Sequence, residues 1–268
     1  MKHCAVLGDP VAHSLSPVLH RAAYADAGLD WTYDAHRVEA GGLGRFVSGL
    51  GSDWRGLSLT MPLKREALTL ADEVTERARQ AGVANTLVLE AGRSLADNTD
   101  VPGAVAALGE RAHQPLVVAT ILGGGATAAS TALALCDLGV GSLTLLVRSP
   151  ARAIDTLAAI DAHPARPAVR VGALDSDPVV GDVVVSTIPV AAQTPGLVTR
   201  CADVPVVFDV VYDPWPTPLA VSAADRVLVS GLDLLVHQAA LQFEVFTGRP
   251  APLAAMRAAG GAALRERS

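Results

Sequence analysis

Short runs rich in Val, Leu and Ile alternate along this chain with longer Ala-rich stretches whose apolar positions recur at helical spacing. The runs predict strands over His3–Gly8, Trp31–Glu39, Gly56–Thr60, Thr86–Glu90, Leu116–Leu122, Leu143–Val147, Val183–Thr187, Val206–Asp209 and Val227–Val229. Helices are predicted over Leu19–Ala27, Glu66–Asp72, Gly103–Glu110, Ala128–Leu138 and Ala151–Ala162. A long one is expected over Leu232–Thr247, and a last short one after Pro252. Strand–helix alternation on this scale argues an α/β fold with largely parallel sheets. No internal repeat or heptad pattern is present.

A strand-to-helix unit of the dinucleotide-binding kind begins near Leu116, which leaves roughly 100 residues before it, the size of a domain. The strand leads into Gly123-Gly124-Gly125-Ala126-Thr127-Ala128. Glycines there permit a tight turn and let a pyrophosphate approach backbone N–H groups at a helix N-terminus. Gly123 and Gly125 fit the first two glycines of that fingerprint, and Ala128 takes the third place. The next strand ends in Arg148-Ser149-Pro150-Ala151-Arg152, where an NAD site often has an acid for the ribose hydroxyls. One helical turn would carry Arg152 to the same side as Arg148. Two guanidinium groups and the Ser149 hydroxyl suit a 2′-phosphate, so NADP is preferred over NAD.

Composition narrows the classes. Half of the 268 residues are hydrophobic and 18% are charged, which allows a large core and argues against a disordered chain. The net charge of −6 offers no basic field for nucleic acid. Three widely spaced cysteines suggest reduced thiols, and seven histidines show no metal-ligand spacing, so no metal is expected. With no signal-peptide pattern after Met1 and no apolar run long enough to span a bilayer, a soluble cytoplasmic protein is expected.

Gly8-Asp9-Pro10-Val11-Ala12-His13-Ser14-Leu15-Ser16-Pro17 follows the first strand. Ser16 before Pro17 reads as a helix N-cap, and Ser14 and Ser16 could offer hydroxyls to a carboxylate. Further on come Ser58-Leu59-Thr60-Met61-Pro62-Leu63-Lys64, Ala81-Gly82-Val83-Ala84-Asn85-Thr86 and Asp97-Asn98-Thr99-Asp100. Asp209-Val210-Val211-Tyr212 with Thr217-Pro218-Leu219 follows, then Gly231-Leu232-Asp233-Leu234-Leu235-Val236-His237-Gln238-Ala239. Together these segments resemble, in order and over nearly the whole chain, the signatures of the shikimate dehydrogenase family.

The resemblance implies a substrate domain of residues 1–101 joined by C-terminal helices 236–268. It also implies a Rossmann-type NADP-binding domain of residues 102–235 and an interdomain cleft. It makes Lys64 the proton donor and Asp100 its neighbour and a ligand of a substrate hydroxyl. It assigns the carboxylate to Ser14 and Ser16, further hydroxyls to Thr60, Asn85 and Gln238, and the carboxylate end to Tyr212. Thr187 and Gly231 join Gly123, Gly124, Gly125, Ala126, Thr127, Arg148, Ser149 and Arg152 at the cofactor. The implied reaction is NADPH-dependent reduction of 3-dehydroshikimate to shikimate in the chorismate route to aromatic amino acids. The implied partner is this small molecule, with no nucleic acid or membrane and a homodimer left open. A quinate/shikimate or aminoshikimate dehydrogenase is the alternative within the family, and a non-catalytic NADP-binding regulator the alternative outside catalysis.

Some positions depart from the family pattern. Ser58 replaces an asparagine, Arg21 stands where asparagine is common, Ala126 replaces a glycine and Val147 replaces the asparagine before the arginine. Ser186-Thr187-Ile188-Pro189 replaces N-A-T-S, and Leu234 replaces a methionine. Lys64 and Asp100 are retained.

Overall fold

Residues 1–267 are described by a computed structural model, which divides into two units. The first holds Met1–Thr99 and Leu235–Arg267; the second holds Asp100–Leu234.

The first unit is built on a mixed six-stranded sheet ordered β2-β1-β3-β5-β6-β4. Its strands are β1 (Lys2–Gly8), β2 (Trp31–Arg37), β3 (Trp54–Leu59), β4 (Glu73–Val74), β5 (Thr86–Glu90) and β6 (Arg93–Asp97). β1 pairs with β2 and β3 in parallel, as β4 does with β6, while β5 runs antiparallel to both β3 and β6; the sheets are largely parallel as expected, with β5 the one reversed strand. The β5–β6 hairpin turns on Ala91 (φ 51°) and Gly92 (φ 76°), with Glu90 opposite Arg93. Positive φ at both central residues suits the twist of a two-residue hairpin. Alternation along the strands sends Ala5, Leu7, Leu57, Leu59 and Leu87 into a core that also takes Leu43, Leu63, Ala67 and Ala78. The intervening residues Gly56, Ser58 and Thr86 therefore belong to the other face. There the ring of Phe246 lies so close to Gly56 that an added Cβ would sit 2.1 Å from it. The final helix, Leu253–Arg267, is 15 residues long rather than short.

The second unit carries a fully parallel sheet ordered β12-β11-β10-β7-β8-β9. Its strands are β7 (Val118–Leu122), β8 (Ser142–Val147), β9 (Ala168–Ala173), β10 (Val183–Ser186), β11 (Val206–Asp209) and β12 (Val227–Ser230). This is the doubly wound Rossmann order, with its switch point between β7 and β10, where ligands gather beyond the strand ends. Central strands are apolar on both faces because helices cover both: Val183, Val184, Val185, Val206, Val207 and Phe208 are all fully buried. β7 starts later than the apolar run suggests, since the N–H groups of Val117 and Val118 donate to the Asp182 carboxylate instead.

Candidate functional site

In the first unit the proposed substrate residues converge on the strand ends that follow β1 and β3 and precede β5. Thr60 follows β3; its N–H donates to Leu7 O (2.9 Å), and the Leu63 N–H donates back to Thr60 O (2.9 Å). The turn that follows delivers half-buried Lys64, whose backbone carbonyl accepts the Ala84 N–H at 2.8 Å. Lys64 is thereby tied to the residue before Asn85. Asn85 is buried at 2% exposure, and its side chain is fully directed. Its Oδ1 accepts from the Thr99 N–H (2.7 Å) and the Thr86 hydroxyl (2.9 Å), while its Nδ2 donates to Thr99 Oγ1 (2.9 Å) and Gln238 Oε1 (3.3 Å). Asn85 and Gln238, 153 residues apart, are thus brought together.

The approach to Asp100 is anchored residue by residue. Burial opposes ionisation of Asp97, yet the side chain accepts from Thr75 and from Nε and Nη2 of Arg77, which hold its carboxyl below the usual carboxylate range. The Asn98 amide donates to Val83 O (3.0 Å). Buried Asp100 then opens the helix Asp100–Arg111, at the first residue of the second unit.

Ser14 and Ser16 lie at the start of the helix Ser16–Asp26, with a correction to their roles. Ser16 is the first helical residue rather than the N-cap; Leu15 takes the cap position with no side-chain bond. Ser14 Oγ instead accepts the Ser16 N–H at 3.3 Å, because a hydroxyl two residues back reaches a first-turn donor.

In the second unit the glycine loop joins β7 to the helix Ala126–Asp137, and each glycine has a different reason to be there. Gly123 has φ +113°, and an added Cβ would lie 2.3 Å from the Thr187 hydroxyl. At Gly124 a Cβ would lie 2.6 Å from the Arg152 carbonyl oxygen. At Gly125, the N-cap, a Cβ would meet nothing within 4 Å. Thr156 binds the Gly124 carbonyl (3.1 Å), and Thr187 the Leu122 carbonyl (2.9 Å), so the loop's oxygens are held from behind. Ala126 and Thr127 open a helix with no side-chain cap, whose first N–H groups lack intrahelical acceptors. The open space at Gly125 and that helix end fit a pyrophosphate.

Arg148 and Arg152 are both exposed, on either side of half-buried Ser149. The one-turn α-helical argument for them is corrected: Pro150–Ala153 is a 3-10 turn, and the helix proper starts at Ile154. Proline at its start and the Arg152 N–H to Ser149 O bond (3.0 Å) tighten this turn. Gly231 begins the helix Gly231–Thr247 where a Cβ would lie 2.4 Å from Val210 O, so it permits a close backbone approach after β11. Asp233 fastens that helix start through Ser230 and Arg111; burial opposes ionisation, yet these bonds hold its carboxyl below the usual range. Tyr212 is half-buried in the segment after β11, which buried Asp209 organises by accepting from the Thr217 hydroxyl (2.6 Å) and Gln193 (2.8 Å). Burial raises the Asp209 pKa, and those two bonds oppose the rise.

No motif marks Tyr33, Thr156 or Gln242, and reading by motif misses all three; Thr99 lies inside a signature segment but is assigned no role there. Gln242 has a readable signal, since it follows Gln238 by one helical turn on the same face. No cluster of three or more His, Cys, Asp or Glu suited to a metal occurs among the described residues. No described helix is long and apolar enough to cross a membrane.

Residues 6–87 match the model of the shikimate dehydrogenase substrate binding domain, and residues 231–259 that of the shikimate 5'-dehydrogenase C-terminal domain. The NADP(+) shikimate dehydrogenase of Moorella thermoacetica is 35% identical over 270 residues, covering 94% of this chain and 90% of its own. The crystal structure of Mycobacterium tuberculosis shikimate dehydrogenase superposes with a TM-score of 0.86 at 41% identity, covering 98% of this chain and all of that one. Shikimate 5-dehydrogenase from Thermus thermophilus, in complex with NADP(H) and shikimate, superposes at 0.87 with 29% identity, covering 98% of this chain and all of that one. Likeness of this length, in sequence and in backbone alike, makes the chain a member of the shikimate dehydrogenase family.

Proposed function

We infer that this protein is an oxidoreductase that reversibly reduces 3-dehydroshikimate to shikimate with NADPH, in the biosynthesis of aromatic amino acids through chorismate. The observation that carries the reading is the buried Asn85–Gln238 pair beside the tethered turn of Lys64. Neutral, directed hydrogen-bonding groups suit a small ring bearing hydroxyls, and they reject analogues that lack one. Residues 1–101 with 236–268 form the substrate domain in this reading, and residues 102–235 the NADP domain.

NADPH, when bound, supplies the hydride. Gly123, Gly124, Gly125, Ala126 and Thr127 would hold its pyrophosphate. Arg148, Ser149 and Arg152 would hold the 2′-phosphate, and Thr187 and Gly231 would flank the remainder. Ser14 and Ser16 receive the substrate carboxylate, with Tyr212 at the same end. Thr60, Asn85, Asp100 and Gln238 receive hydroxyls. As the carbonyl oxygen gains charge, the Lys64 ammonium donates a proton to it; in the reverse direction Lys64 accepts that proton. The enzyme works in the cytoplasm on this small molecule, without nucleic acid or membrane.

The test follows the nicotinamide absorbance with shikimate or quinate crossed with NADP+ or NAD+. Shikimate with NADP+ is expected to be the productive pair, and activity with quinate and NAD+ alone overturns the reading. Lys64→Ala is expected to lower kcat by about 10²–10⁴-fold while calorimetry shows shikimate still bound.

A further inference from the structure

Behind the proposed substrate residues of the first unit runs a one-way chain of buried hydrogen bonds. The Tyr33 phenol, fully buried on β2, donates to Ser58 Oγ at 2.5 Å. Ser58 Oγ donates to Gln242 Oε1 at 2.6 Å. The Gln242 amide then donates to Thr86 Oγ1 (2.9 Å) and to the Asn85 carbonyl (3.1 Å). The Thr86 hydroxyl donates to Asn85 Oδ1 (2.9 Å), Asn85 Nδ2 donates to Gln238 Oε1 (3.3 Å), and Gln238 Nε2 donates to Leu235 O (2.9 Å).

Direction is what this chain transmits. A hydroxyl has one proton, so once Ser58 and Thr86 each donate forward, the group that meets them from behind must be a donor. Gln242 must therefore face Ser58 with its carbonyl and Thr86 with its nitrogen. The same polarity reaches Asn85, whose carbonyl is already claimed by the Thr99 N–H, and then Gln238. Ser58 is 4% exposed with its oxygen engaged on both sides, so it acts as a link rather than a substrate ligand, although the family motif has asparagine there. The Tyr33 ring is held by stacking on buried His20, with centroids 4.1 Å apart and planes 5° from parallel.

We propose that Tyr33 and Gln242 are positioning residues that hold the Asn85–Gln238 pair in place, backing from behind the polarity that the Thr99 N–H and the Leu235 carbonyl set, so that Gln238 offers the substrate hydroxyl an N–H rather than a carbonyl. The proposal rests on the reading of Gln238 as a substrate ligand. Neither Tyr33 nor Gln242 touches substrate in it. Gln242→Glu puts an acceptor where the chain needs a donor, and Tyr33→Phe removes a single oxygen.

The experiment measures Michaelis constants for shikimate and NADP+ on the full chain. Alongside, it records the side-chain amide NMR signals of Asn85 and Gln238 in the free protein. For Gln242→Glu the shikimate KM is expected to rise about tenfold or more, with kcat changed by less than about threefold and the NADP+ KM within about twofold. A smaller rise of about threefold is expected for Tyr33→Phe, and both variants should move the two amide signals. A general loss of structure would instead lower kcat and raise both KM values together. Folded variants with an unchanged shikimate KM and unmoved amide signals overturn the proposal. Should Gln242→Glu fail to fold, Tyr33→Phe decides by the same readouts. A parent protein inactive on shikimate sinks the functional reading alone, and the amide signals then decide the polarity.

Discussion

The two units prepare for their ligands in opposite ways. In the first, the proposed ligands Asn85 and Gln238 and the residues Thr86 and Gln242 that aim them are all less than a tenth exposed. In the second they are backbone groups and exposed charges: a glycine loop, an uncapped helix end, and two arginines in solvent. The difference follows from ligand chemistry. A neutral hydroxyl is told from a missing one only by a desolvated, directed partner whose unpaired state is costly. A phosphate carries its own charge, so N–H groups at a helix end and guanidinium groups hold it without deep burial. In the proposed reading, specificity is therefore built into the packing of the first unit and laid on the surface of the second.

The largest test of that contrast is at the exposed arginines. Arg148→Ala with Arg152→Ala should raise the NADPH Michaelis constant by about 10²-fold, since each charge-assisted bond is worth about 1.5–3 kcal/mol, with the NADH constant barely moved. Melting temperature should stay put, because neither side chain is part of the core. An unchanged NADPH constant removes the 2′-phosphate assignment.

Two neighbouring glycines sharpen the comparison. Gly124→Ala drives a Cβ into the Arg152 backbone carbonyl and should cost about 1–3 kcal/mol in a urea titration. Gly125→Ala has open space and an extended backbone (φ −92°, ψ −168°), so it should leave stability almost intact and weaken NADP+ binding alone. Equal stability losses would mean that Gly125 is structural and that its space is not the phosphate's.

The last test probes the first unit's interior. Burial lowers the His20 pKa from 6.5 to about 3, so the folded protein keeps a neutral ring. As pH falls below about 6.5 the unfolded chain takes up the proton first, so stability should drop progressively until about pH 3. His20→Phe should flatten the curve over that window, as read from urea midpoints at several pH values. Equal slopes for parent and variant would mean that the ring titrates normally.

Strand identity is largely legible in the chain, because apolar runs with turn residues between them leave few alternatives. β5 (Thr86–Glu90) and β11 (Val206–Asp209) fall where the pattern puts them. β6 escapes it, since Ala91-Gly92 lacks the Asn-Gly or Asp-Gly signal of a two-residue hairpin. Ser16 passes for a cap because Ser-Pro has the same look whether the serine stands just outside the helix or just inside it. The Arg148–Arg152 geometry escapes because spacing alone does not tell a 3-10 turn from an α-turn. Tyr33 and Gln242 carry no motif, and their role depends on partners up to 184 residues away.

By itself the sequence determined an α/β chain, the glycine loop at Gly123, the basic pair after β8 and the family whose motifs it carries. Those are local properties: hydrophobic period, backbone permissiveness and charge are written within a few residues of one another. Only the tertiary structure decided that the first sheet is mixed, that Gly124 answers to Arg152, and that Tyr33 speaks to Gln238 through Ser58, Gln242, Thr86 and Asn85. Hydrogen-bond direction and close approach depend on atoms brought within about 3 Å of each other by folding, and no spacing along the chain encodes them.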